Sequence, residues 1–337
     1  MALLTALVIV MAAALTFALP SGAILSEAET RYQESVELNW DDEEDVFTPV
    51  DESASRIRVL ASAALSDILP ANDVSSLPMG LNDAGSAPIA ENFTENGYRD
   101  DTIIVDVQEL RQDDSTYHVA YIKVATPSQI RTAVAGGKLG SNRTLKTSMF
   151  AQSMNAVVAI NGDFYTQTKA GYIIRQGETY RTKTSKNMDL LLIDENGDFH
   201  ILLRGHDEQA AGIKELTREH QIVNGFFFGP ALVVDGVKQD IPEKYQFAPF
   251  AKNPRAAVGQ ITALTYVVVT VDGRIDSSAG VTLPELASFM ESIGCQQAYN
   301  LDGGNSSALI FNGKMMSVKD VEERSVSDIL YFASAVQ

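Results

Sequence analysis

Five dipeptides constrain the fold of this chain more than any other feature. Gln176-Gly177, Asn196-Gly197, Asp235-Gly236, Asp272-Gly273 and Asn312-Gly313 each separate two apolar runs. Residues tolerant of positive φ are what tight hairpin turns demand, so the pattern predicts a hairpin-rich sheet. Two further β-rich runs, 102–110 ("TIIVDVQEL") and 117–125 ("YHVAYIKVA"), flank the polar "RQDDST". Helices are fewer, over 146–155, 214–224 and 283–293. The last opens with a capping box, Thr282 to Glu285, shows an apolar stripe at Leu283, Leu286, Ala287, Met290 and Ile293, and stops at Gly294. Most strand connections are too short for helical crossovers, so the expected class is α+β: a hairpin-rich mixed or antiparallel sheet with a few packed helices, in one domain over 101–337.

The rest of the chain differs. Ala2 to Leu19 is apolar and uncharged, close to the ~20 residues that span a bilayer. Residues 1–24 are therefore expected to be a signal peptide or membrane anchor, giving an extracytoplasmic product that is attached or secreted. From Ser26 to Glu52 there are eleven acidic residues and one basic, which accounts for -10 of the formal charge of -18. Such a run repels itself and stays solvated. Residues 25–100 are read as an acidic spacer with a short amphipathic helix over 57–69 and a loop-like stretch over 71–100, the compact domain starting near Asp101. With so few basic residues, a phosphate-tracking nucleic-acid face is excluded. The single cysteine, Cys295, rules out an internal disulfide and a cysteine-rich zinc site, and is expected as a buried, inert thiol. The four histidines show no i, i+4 pair, so no histidine metal site and no cofactor are expected. His118 is the one considered as a proton shuttle, and a carboxylate-held calcium near Asp163 or Asp302 stays open.

Chemistry concentrates at strand ends. In "AYNLDGGNSS" (298–307) an apolar strand ends at Asp302, followed by Gly303 and Gly304. A glycine pair can turn successive N–H groups toward one point and form an anion-binding concavity, with Ser306 and Ser307 at its rim. The simpler reading is a tight turn in which Asp302 caps its own backbone. The same device recurs at Asn161-Gly162-Asp163. Arg255 stands at the start of another apolar strand, and Glu323 and Arg324 precede the last one.

These segments together, Asn161-Gly162-Asp163-Phe164 with "GYIIRQGETYR" (171–181), Asn253-Pro254-Arg255, Asn300-Leu301-Asp302-Gly303-Gly304 and Glu323-Arg324-Ser325-Val326-Ser327, resemble the phosphodiester glycosidase family over roughly residues 100–337. Asn305 stands where members often carry a third glycine. The lone cysteine sets the chain apart from the disulfide-bearing animal members and favours a bacterial relative of the cell envelope.

The resemblance implies a hydrolase that cleaves the glycosidic bond of a sugar 1-phosphodiester on a cell-surface glycan or polymer. On that reading Asp302, Asp163 and Glu323 are the catalytic candidates. Asn161, Gly162, Arg255, Gly303, Gly304, Ser306, Ser307 and Arg324 are the substrate- and phosphate-binding candidates, and Glu323 stays equally open as a structural partner of Arg324. The alternative is a non-catalytic module that binds an anionic polymer through the same groups. A third is an enzyme that cleaves the P–O bond instead. Replacing Asp302 by Asn is expected to abolish turnover with little change in melting temperature. The sequence leaves oligomeric state open.

Overall fold

The computed structural model describes residue 69 and residues 75–336. The N-terminal apolar stretch, the acidic run and, Leu69 apart, the helix expected over 57–69 lie outside the described residues. Among those described, no helix is long and apolar enough to cross a membrane.

Three sheets make up the body. The largest has eight strands in the order 97–99, 103–112, 115–124, 265–271, 255–262, 297–300, 231–234, 237–238. A five-stranded sheet runs 199–202, 190–194, 222–226, 171–175, 178–183, and a second runs 314–315, 309–311, 156–161, 328–333, 130–134. A two-stranded ribbon joins 325–326 to 145–146. The described pairings are antiparallel. Among the described residues three α-helices cover them: α1 (Thr147–Ser153), α2 (His206–Glu219) and α3 (Leu283–Ser292).

Four of the five dipeptides form hairpins, with Gln176, Gly177, Gly197, Asp235, Gly236, Asn312 and Gly313 at positive φ. Asp272-Gly273 does not. Polar residues rather than an apolar run follow it, and its acid is used as a tie: Asp272 Oδ1 accepts the Val318 N–H at 2.9 Å and Oδ2 lies 2.8 Å from His118 Nε2. His118 is thereby a buried structural residue of the large sheet. The first hairpin is also tighter than expected, turning at Asp113 (φ 50) between Ile103–Gln112 and Ser115–Val124.

The second helix starts earlier and ends sooner than predicted. Gly205 (φ 139) breaks the chain ahead of it, Asp207 and Glu208 suit its positive N-terminal end, and the β-branched Ile222-Val223 pair goes into a buried strand. His206 thus opens the helix and His220 lies just past it. The boundary at Asp101 also moves. Leu77 and Tyr98 are buried, and the Asn82 side chain pairs with both Val134 N–H (2.8 Å) and Val134 C=O (2.9 Å), so residues from 77 onward pack on the domain rather than linking to it.

Burial explains the long apolar runs. In the large sheet Ala120, Ile122, Val258 and Val268 face a core shared with the other two sheets, while Tyr121, Val119, Val267 and Val269 face α3. A sheet covered on both sides needs apolar residues at both parities. The predicted stripe of α3 lands on it, Leu283, Leu286, Ala287, Met290 and Ile293 all being buried, and each large side chain contributes roughly 1.5–3 kcal/mol. The capping box forms, with Glu285 N–H on Thr282 Oγ1 at 3.3 Å and Thr282 N–H on Glu285 Oε2 at 2.7 Å. Cys295 is buried behind the helix, where burial pushes its thiol well above the usual range.

Candidate active site

The loops at one end of these sheets enclose a cavity of about 400 Å³, lined by Arg255, Arg274, Arg324, Asp302, Gly303, Gly304, Asn253, Asn305, Phe228, Phe247 and Ala248. Three arginines and a single carboxylate meet there. A crevice of about 60 Å³ adjoins it, sharing Asp302 and Arg324 and reaching Asp163, Phe164 and Ser306.

Each arginine is held without an acid. Arg255 is buried at the start of strand Arg255–Thr262. Its Nε donates to the Val281 carbonyl (3.1 Å) and its Nη2 to those of Ala248 (2.9 Å) and Ala251 (2.8 Å). Burial, with Arg274 beside it, lowers its pKa to about 10, so it stays charged at neutral pH. Arg274 is clamped by two amides, Asn253 Oδ1 at 2.7 Å from Nη2 and Asn305 Oδ1 at 3.3 Å from Nη1. Arg324 lies over the Phe164 ring, 5.6 Å from its centroid. Among the described residues none of the three has an ion-pair partner, so the cavity is an anion seat with its charge unspent. Phe247, Ala248 and Arg274 all adopt positive φ, strain of the kind that collects at functional sites.

Asp302 faces this array. Burial pushes its carboxyl up to about 6, and Asp163 adds to the rise. Ser306, Arg324 and the Gly303 N–H pull the other way. Ser306 Oγ sits close to that carboxyl without completing a hydrogen bond. The raised value marks an acid desolvated beside cations that do not pair with it.

Asp163 differs. Its Oδ1 accepts from Arg175 Nη2 (2.8 Å) and the Tyr165 N–H (3.1 Å), and its Oδ2 from the Phe227 N–H (2.7 Å). Arg175, fully buried, also donates to Asp328 Oδ2 from Nε at 2.9 Å and to the carbonyls of Ile174 and Gly225, and lies over the Phe226 ring. Burial, with Asp163 nearby, raises the Asp328 pKa against the pull of Arg175. This acid–arginine–acid lattice ties the strand Gly171–Arg175 to the strand Asp328–Ala333. Both oxygens of Asp163, a catalytic candidate from the sequence, are thus in use.

The other candidates divide in the same way. Glu323 caps α1, accepting the Ser148 N–H (2.9 Å) and hydroxyl (2.6 Å), and forms no ion pair with Arg324 among the described residues. Asn161 donates to the carbonyls of Asp302 (2.6 Å) and Gly162 (3.1 Å) and accepts from the Ala308 N–H (3.0 Å), so it positions Asp302 instead of binding ligand. Gly162 is required by close approach, since a Cβ there would lie 2.4 Å from Asp328 Oδ2. The Gly303-Gly304 concavity is filled from within: the Gly304 N–H donates to the Pro254 carbonyl (2.8 Å), and a Cβ on Gly303 would lie 2.8 Å from that same oxygen. Ser307 holds the Arg255 carbonyl at 2.7 Å. The structure therefore brings Asp302, Arg255, Arg324 and the glycine pair into one cavity, with Asp163 and Ser306 in the adjoining crevice, and ties Asn161, Ser307 and Glu323 to neighbouring backbone. Sequence reasoning gave no role to Arg274, Arg175, Asp328, Phe228 or Phe247. Asn253 and Arg175 lie inside quoted motifs, but nothing in the sequence shows what they touch. The donor set does not fit calcium, which takes six to eight oxygens: both oxygens of Asp163 are already in use, and the other charged groups lining the cavity of Asp302 are three guanidinium groups.

Comparison with known proteins agrees with this architecture. Over 112 residues the chain is 40% identical to the SPbeta prophage-derived uncharacterized protein YomE of Bacillus subtilis (strain 168), an alignment covering 32% of this chain and 17% of that protein. The catalytic domain of zebrafish N-acetylglucosamine-1-phosphodiester alpha-N-acetylglucosaminidase, auto-inhibited by its pro-peptide, shares the fold with a TM-score of 0.55 at 21% identity, over 69% of this chain and 83% of that one. A hypothetical protein from Synechocystis aligns with a TM-score of 0.47 at 15% identity, over 68% and 62% of the two chains. The family model for phosphodiester glycosidases matches residues 154–333, more than half of the sequence, and the chain belongs to that family.

Proposed function

We propose that this chain hydrolyses the glycosidic C–O bond of a sugar 1-phosphodiester, releasing a free sugar and a phosphomonoester. The observation that carries the reading is the cavity lined by three acid-free guanidinium groups and one desolvated carboxylate. Arg255, Arg274 and Arg324 bind the phosphodiester and neutralise the charge that builds on the leaving phosphate, which makes protonation by a general acid less necessary. Asp302 acts at the anomeric carbon, as nucleophile or as base toward water, stabilising an oxocarbenium-like transition state. Phe228 and Phe247, stacked with centroids 4.6 Å apart, give the cavity an apolar wall suited to one face of a sugar ring. Asp163, Arg175, Asp328 and Asn161 hold the loops in place. The apolar run from Ala2 supports export, with the product anchored or secreted and a cell-envelope glycan or polymer as the substrate.

The test is a screen of sugar 1-phosphodiesters for released reducing sugar, repeated in heavy-oxygen water. Label in the sugar supports the proposal. Label in the phosphate means P–O cleavage, and tight binding with no labelled product means a binding module; either outcome overturns it.

A further inference from the structure

The sheet that carries Arg175 holds a second cluster of ionisable groups, away from the cavity. Asp194 ends the strand Leu190–Asp194, Glu195 follows in the turn, and His220 lies two residues before the start of the strand Ile222–Phe226, whose Ile222 pairs with Asp194. One oxygen of each acid is fixed by backbone. Asp194 Oδ1 accepts the N–H groups of Asn196 (2.8 Å) and Asp198 (3.0 Å), and Glu195 Oε2 accepts that of Gln221 (2.7 Å). The other oxygens, Asp194 Oδ2 and Glu195 Oε1, face His220 Nδ1 at 3.2 and 3.6 Å. That nitrogen is itself buried and completes no hydrogen bond, although the ring is 29% exposed.

Zinc bound at 2.0–2.1 Å in a tetrahedron spaces its ligand atoms by about 3.3 Å. The two separations bracket that value, and the three donor atoms all lie within 4.8 Å of one another. We propose that Asp194, Glu195 and His220 form a site for a divalent transition cation of the zinc kind, with water completing the coordination. His200, whose Nε2 is 3.0 Å from Asp194 Oδ2, orients that carboxylate from outside. The expectation of no histidine site came from scanning for i, i+4 pairs; strand pairing brings these residues together instead. The strand Ile222–Phe226 separates the cluster from Phe227 and Phe228 by about 15 Å, so the cation pins two strands and takes no part in turnover.

The experiment is calorimetric titration of the chelator-treated full chain with zinc chloride, alongside thermal unfolding with and without zinc. One site per chain and a Tm raised by several degrees are expected. His220→Gln should weaken binding roughly 100-fold or more and remove the Tm response, and His200→Gln should weaken it about 10-fold. Glu195→Gln, at a half-exposed position, gives an independent ligand loss should the histidine variant fold poorly. His206→Gln, whose ring bonds Thr184, should bind as the parent does. Absence of binding at about 100 µM zinc, equal affinity in His220→Gln, or equal affinity for magnesium would overturn the assignment.

Discussion

Asp302→Asn should produce an inactive protein that is more stable than the parent above pH 6 and no more stable near pH 3.5. The carboxyl sits at about 6 in the folded chain against 3.8 for an unperturbed aspartate, a rise of about 2 units caused first by burial. At ~1.36 kcal/mol per unit, the folded state gives up about 3 kcal/mol by ionising this group. Partial solvent access to the side chain discounts that to about 1–3 kcal/mol. The sign follows from proton binding. Between 3.8 and about 6 the folded state holds a proton that the unfolded state has released, so stability falls as pH rises through that window and the loss is complete above it. A neutral amide of the same shape never incurs it. In a domain of this size each kcal/mol shifts Tm by about 2–4 °C, so scanning calorimetry at pH 3.5 and pH 8 should show the variant gaining several degrees at the higher pH alone. The sequence-based expectation of an unchanged Tm is thus revised by the burial. Turnover of a sugar 1-phosphodiester should fall by at least ~100-fold, the low end of what a positioned acid–base group contributes. A variant equally stabilised at both pH values, or not stabilised at either, would show that the carboxylate is not a desolvated charge. A variant that kept its activity would remove Asp302 from the chemistry.

Arg274→Met should lower kcat/KM on a phosphodiester by roughly 10- to 150-fold, the equivalent of one lost charge-assisted bond of ~1.5–3 kcal/mol. Stability should hardly move, since the side chain of this exposed arginine bonds, among the described residues, just the Asn253 and Asn305 amides; a large Tm loss or an unchanged kcat/KM would refute the role. Arg324→Met should move the acidic limb of the pH–rate profile, expected near pH 6 from Asp302, to higher pH, because the guanidinium pulls that carboxyl down. A shift to lower pH would contradict the arrangement. Arg175→Met should destabilise the fold by about 3–5 kcal/mol, since it strands Asp163 and Asp328 without their cation, and urea denaturation measures it.

What was legible in the sequence was whatever local backbone chemistry decides. The turn dipeptides located the hairpins because positive φ is a property of one or two residues. The capping box and stripe located α3 because both repeat within a helical turn. Asp302 and Arg255 were found because each stands where an apolar run begins or ends. What could not be read was how each polar group is used. Asp163 and Asp302 follow the same kind of strand and look alike, yet Asp163 is satisfied by Arg175, twelve residues on, and by the Phe227 N–H, sixty-four residues on. Glu323 resembled a catalytic acid until α1, from the other side of the sequence, presented its N-terminal Ser148 N–H to it. The glycine concavity failed for a related reason: a carbonyl of another segment, Pro254, already occupies the N–H that an anion would need.

The distribution of buried charge carries the functional argument one step further. This fold uses many buried acids as ties: Asp100, Asp163, Asp189, Asp272 and Asp328 each accept N–H, hydroxyl or guanidinium donors at strand ends or turns. Asp302 and Arg255 line one cavity as a desolvated acid with no cation paired to it and a desolvated cation held by carbonyls. Were they to pair, both would be stabilised. The frame prevents it, since Ala248, Ala251 and Val281 hold the guanidinium from one side and Asn161 fixes the Asp302 backbone from the other. The stability lost by keeping them apart becomes available to a ligand that brings a negative charge to the arginines and an electron-poor carbon to the acid, and a sugar 1-phosphodiester presents both, its anomeric carbon joined to the charged phosphate through one oxygen.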